Sequence, residues 1–245
     1  MTTTTPDTQS TVPVEGGDLP VQVFLPAAEG GPGVVLFQEI FGVTGYIRSR
    51  ARDLADLGYV VLVPESYWRL GSPVISEGMD GLEEAMATSG RLDWDRTVAD
   101  AVAATRYLGR RPEVSGPTGL VGFCFGGGLA WATAAHLADE GEAPAALVAY
   151  YGSQIPTLLD LAGRIRSPQL HHWGNADQFI PPEGVDAVEE AVTAGRNATF
   201  CRYDGAGHAF DNPSPAFHHA QASARAWPVT TDWLATHLAG RAGTS

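Results

Sequence analysis

The chain has 245 residues, 44% hydrophobic and 18% charged, with 28 acidic side chains against 15 basic ones and a formal net charge of −13. That length suits one large α/β unit, which by surface scaling buries about 70% of the area its unfolded chain would expose. No basic run interrupts the negative balance, and such a surface repels phosphate backbones and anionic bilayers, so neither nucleic acid nor a membrane is an expected partner.

Met1 to Asp7 is polar, without the basic and apolar regions of a signal peptide. No apolar stretch is long enough to cross a bilayer, so the expected location is cytoplasmic. Residues 1–10 read as a flexible tail and residues 11–240 as one domain. Thr11 to Pro26 alternates around Glu15-Gly16-Gly17-Asp18, the pattern of a β-hairpin. Beyond it, strands are expected at Val34–Phe37, Val60–Val63, Gly119–Gly122, Ala146–Tyr151, Gln169–Trp173 and Thr199–Tyr203. Helices are expected near Ile47–Leu57, Trp94–Leu108, Phe125–Leu137, Pro182–Ala194 and Ala222–Leu238, with Gly58 closing the first. This alternation predicts a mostly parallel central sheet with helices on both faces. The irregular stretch Glu65 to Leu92 is too long for a plain connection and reads as a lid or pocket wall.

Function in an open α/β sheet gathers in the loops at the carboxyl ends of the strands. Gly122-Phe123-Cys124-Phe125-Gly126-Gly127 places a cysteine at the tip of a strand–turn–helix elbow, where small flanking residues let backbones approach. Asp177 follows the strand ending at Trp173, His208 follows the one ending at Tyr203, and Glu39 follows the one ending at Phe37. Nucleophile, acid, histidine is the chain order of the α/β-hydrolase architecture. A thiol needs a base at neutral pH; His208 supplies one and Asp177 orients it. The backbone N–H groups of Ile40 and Phe125 stand where an oxyanion hole requires donors. Taken singly, Cys124 reads as a buried thiol, Asp177 as an Asx-turn or helix cap, and Glu39 as a solvated carboxylate. Their shared placement after strands, in the right order, favours catalysis.

Cys201 reads as a small buried hydrophobe on a strand. His171 and His172 are neighbours on a strand and face opposite sides, and His218 and His219 diverge similarly, so no metal site is expected. No phosphate-binding glycine loop is present either, and no cofactor is expected.

These segments, with Gly58-Tyr59-Val60-Val61-Leu62-Val63-Pro64 and Tyr150-Tyr151-Gly152, give a sequence that resembles the dienelactone hydrolase (carboxymethylenebutenolidase) family from the first hairpin to the last helix. The resemblance implies an α/β-hydrolase fold, a triad of Cys124, His208 and Asp177, and a Glu39 that contacts the resting thiol. It also implies an oxyanion hole at Ile40 and Phe125, with Tyr151 and Phe179 as pocket walls. Asn212 occupies a substrate-binding position where dienelactone-specific members carry an arginine, and no arginine lies between Arg69 and Arg91. The expected partner is therefore a small ester or lactone other than dienelactone itself, acted on by a monomer or small homo-oligomer. An isomerase, cyclase or acyl transferase on the same scaffold, or a silent small-molecule binder, are the alternative readings.

Overall fold

The computed structural model describes residues 5–195 and 197–239. Among these residues eight strands form one sheet: β1 (Thr8–Val14), β2 (Gly17–Phe24), β3 (Gly31–Phe37), β4 (Val60–Pro64), β5 (Val114–Phe123), β6 (Ala146–Tyr150), β7 (Gln169–Gly174) and β8 (Ala198–Tyr203). Their order is β1-β2-β4-β3-β5-β6-β7-β8; the first two pairings are antiparallel and the rest parallel. This is the α/β-hydrolase arrangement. The hairpin turns at Glu15-Gly16 with Val14 opposite Gly17. Its first strand begins at Thr8, inside the stretch expected to be a tail, and Asp7 pairs with Arg52 at 2.8 Å.

The helices are α1 (Gly45–Asp56), α2 (Leu82–Ser89), α3 (Trp94–Gly109), α4 (Phe125–Asp139), α5 (Pro182–Thr193) and α6 (Ala220–Leu238). Helix α1 buries Ile47, Ala51, Leu54 and Ala55, a stripe one turn apart that packs on β2 and β4. Thr44 caps its start, and Gly58 ends it with the two reverse hydrogen bonds of a Schellman motif. Helices α3 and α4 cover one face of the sheet; α1 and α6 cover the other, joined where the Arg50 guanidinium lies over the Trp227 ring. Helix α6 starts at Ala220, capped by His219, and continues through Pro228. Helix α4 is buried on nearly every side, so its apolar, alanine-rich sequence carries no polar face. The chain leaves β3 toward β4 and returns to β5 on β3's other side, which opens a crevice at the carboxyl ends of β3 and β5.

The stretch expected to be irregular contains two short 3-10 turns and α2, a helix absent from the expected elements. Trp68 and Arg69 pin its start, both donating to Asp100 on α3. Arg69 is thereby committed to a structural ion pair. No helix among the described residues is long and apolar enough to cross a membrane.

Candidate active site

The elbow after β5 carries Cys124 at φ 53°, ψ −116°, a left-handed conformation that costs a non-glycine residue of order 1–3 kcal/mol. The tight packing of the turn explains its flanking residues: a Cβ on Gly122 would strike the Gly126 carbonyl, and one on Gly126 would strike the Phe37 and Gln38 carbonyls. Among the described residues, the positive-φ non-glycines are Ser72, Cys124, Tyr151 and Ala209. Three of these stand at strand ends around the crevice, one after β5, one after β6 and one beside His208.

Cys124, His208 and Asp177 are brought into line. His208 Nδ1 lies 2.7 Å from Asp177 Oδ2, and its Nε2 lies 3.1 Å from Cys124 Sγ. Asp177 Oδ1 accepts hydrogen bonds from the Phe179 and Ile180 backbone N–H groups, so the acid is fixed by its own loop. That is the Asx-type geometry of the plainer reading, and it serves the histidine with the other oxygen. Burial works against a charged His208, but Cys124 and Asp177 on either side raise its pKa above the ordinary value. With Nδ1 facing Asp177, Nε2 is the nitrogen that faces the thiol and can take up its proton.

Ile40 lines the cavity at Cys124, and Phe125 is the residue directly after Cys124. Phe125 opens α4, where the first N–H groups have no intrahelical partner and the helix dipole is positive. The Ile40 amide donates to no backbone carbonyl among the described residues. Tyr67 holds the following peptide, its hydroxyl donating to the Ile40 carbonyl at 2.8 Å.

Glu39 is fully buried, and burial pushes its pKa up to about 7 despite the groups that bond it. Asn212 Nδ2 donates to Glu39 Oε2 at 2.7 Å and Tyr151 Oη donates to Oε1 at 3.3 Å. No hydrogen bond joins Glu39 to Cys124 among the described residues; the thiol faces His208 instead, and Ser153 Oγ lies 3.9 Å away. Two expected substrate contacts are corrected here. Tyr151 and Asn212 are completely buried and line no part of the cavity at Cys124. Their polar ends are spent on Glu39, and Asn212 Oδ1 accepts the Ser214 amide. Phe179, by contrast, lines the cavity, its ring edge-on to His208.

Behind Glu39 a chain of side chains absent from the sequence reading continues inward. Tyr151 meets Tyr46, which donates to Asp211 at 2.5 Å. Arg50 pairs with both Asp211 oxygens, and Ser223 donates to one of them. Ser153 was missed as well, although it follows β6 and obeys the same strand-end rule as the others. His171 and His172 are buried in the core, the second between Tyr203 and Thr230. No cluster that could hold a metal occurs among the described residues.

The sequence profile of the Dienelactone hydrolase family matches residues 19–238. A carboxymethylenebutenolidase of Pseudomonas putida is 33% identical over 212 residues, covering 86% of this chain and 88% of the relative. One from Pseudomonas sp. strain P51 is 32% identical, covering 89% and 90%. Among solved structures, a dienelactone hydrolase-like promiscuous phosphotriesterase, P91, from metagenomic libraries superposes with a TM-score of 0.77 at 26% identity, covering 94% of this chain and 98% of that one.

Proposed function

The chain belongs to the dienelactone hydrolase family, and on that premise we propose that it hydrolyses small activated esters or lactones through a cysteine thioester. The observation that carries the reading is the continuous line from Asp177 through His208 to Cys124, with contacts of 2.7 and 3.1 Å.

His208 Nε2 takes the thiol proton, and Sγ attacks the carbonyl carbon. The carbonyl oxygen gains the charge and is met by the Ile40 and Phe125 N–H groups. As the C–O bond to the leaving group breaks, the His208 proton passes to that oxygen. In a lactone the leaving oxygen stays tethered to the acyl group; in an ester it departs as an alcohol, phenol or enol. His208 then removes a proton from water, whose oxygen attacks the thioester, and the sulfur leaves with that proton. Asp177 keeps the imidazole in the working tautomer throughout. Glu39, a buried carboxyl lining the same cavity with a pKa raised to about 7, is a second group there that can exchange a proton near neutrality. A good leaving group is required, because a thiolate departs from the tetrahedral intermediate more readily than an amine does.

Turnover of p-nitrophenyl esters and a panel of small lactones tests the reading. Wild type should release product, and Cys124→Ala should not. Saturable ligand binding without turnover in wild type would overturn it.

A further inference from the structure

The cavity at Cys124 holds about 280 Å³, just below the roughly 300–1,000 Å³ usual for ligand pockets. Its apolar wall consists of Ile40, Phe41, Leu82, Met86, Phe179 and Phe217. Among the described residues, the titratable side chains on its surface are Glu39, Cys124 and His208, its polar side chains otherwise are the neutral Ser89, Ser153 and Gln154, and no lysine or arginine lines it. Nearby guanidinium groups are engaged elsewhere. Arg50 is held by Asp211 and Asp53, Arg69 by Asp100, and Arg48 donates to Gln22. Arg91 is exposed and does not line the cavity. His208 cannot serve as a free cation, because its two nitrogens face Asp177 and Cys124. Asn212, the buried amide nearest Glu39, has both polar ends in use.

We propose that this site selects uncharged substrates with a small apolar acyl chain and rejects those whose acyl chain carries a carboxylate. A carboxylate entering here would leave water for an apolar wall without a cation and would meet the carboxyl of Glu39. An alkyl chain would replace water against Phe41, Leu82 and Phe217 and gain from burial. The selectivity comes from the wall and from the missing cation, so it holds for binding as well as for turnover. The inference rests on the hydrolase reading only for the identity of the reacting bond.

The test compares p-nitrophenyl hexanoate with mono-p-nitrophenyl adipate, which differ only in a terminal methyl against a terminal carboxylate. The structure predicts a kcat/KM for the hexanoate higher by roughly tenfold or more. Met86→Arg places a cation on the wall at a position already 55% exposed, so the fold should tolerate it. It should move the ratio toward the adipate by about fivefold or more, consistent with a charge-assisted contact. Equal or reversed preference in wild type would overturn the inference. If neither ester is turned over, the hydrolase reading fails and binding alone decides the inference. In that case protection of Cys124 from iodoacetamide by 2-heptanone but not by 6-oxoheptanoate supports it, and equal protection or protection by the keto acid overturns it.

Discussion

Four side chains carry the proposed chemistry, and their places in the sequence reveal them alike. Cys124, His208, Asp177 and Glu39 each follow a strand that parallel pairing carries to one edge of the sheet, so local pattern is enough to find them. Asn212 and Tyr151 were readable as site residues but not as partners of Glu39, which lies 173 and 112 positions away from them. Which polar group a buried amide satisfies depends on the packed fold. Two consequences can be measured at this scale. Asp177→Asn keeps the Oδ1 contacts to the Phe179 and Ile180 amides but favours the wrong histidine tautomer. Its kcat on an activated ester should fall by about a hundredfold or more, with its melting temperature little changed. Glu39 holds its proton more tightly in the folded state, at about 7, than at the ordinary value of 4.5. The folded protein therefore binds more protons between these values, and wild-type stability from this group is lost as pH rises through that window. Glu39→Gln does not titrate. Its urea stability relative to wild type should climb by on the order of 3 kcal/mol from pH ~4.5 to above pH ~7. A flat difference would contradict the burial of Glu39 as the cause.

At the scale of elements, the alternating strands and helices were legible because each carries its own hydrophobic period and its own stop signals. Strand ends moved by a few residues, most at β5, which begins at Val114 because the parallel partner β3 extends it. Helix α2 was not legible. Leu82-Glu83-Glu84-Ala85-Met86-Ala87-Thr88-Ser89 is only two turns long, lies between Gly81 and Gly90 and has no side-chain cap. It is held by what it packs on, and Leu82, Met86 and Ser89, one and two turns apart, face the cavity. Truncating Leu82 to Ala removes part of the apolar wall without touching the triad. It should raise KM for p-nitrophenyl hexanoate several-fold and leave kcat for the shorter acetate near the wild-type value. A fall in kcat on both substrates would show that α2 instead positions the catalytic groups.

Across the whole molecule, the sheet places its ionisable burden asymmetrically. The crevice at the carboxyl ends of the strands holds the strained Cys124, Tyr151 and Ala209 and the raised carboxyl of Glu39, whereas the core holds His171 and His172, kept neutral by burial with pKa values pushed down to about 3. For these two bases the folded state binds fewer protons than the unfolded one between pH 3 and 6.5, so their stabilisation is present above 6.5 and lost as pH falls. Each accounts for roughly 5 kcal/mol at most. His171→Phe, which keeps the stack on Phe200, should lower the midpoint pH of acid unfolding followed by circular dichroism. The chain of contacts from Glu39 through Tyr151 and Tyr46 to Asp211 also belongs to this scale. It joins β3, β6, α1 and the loop before α6, so no single segment announces it. The proposed mechanism requires Cys124 as the nucleophile, and intact-protein mass spectrometry addresses that directly. Wild type acid-quenched within its first turnovers of p-nitrophenyl hexanoate should gain one hexanoyl group, located on the peptide carrying Cys124 and absent from Cys124→Ala. An acyl group on Ser153 instead, or undiminished turnover by Cys124→Ala, would contradict it.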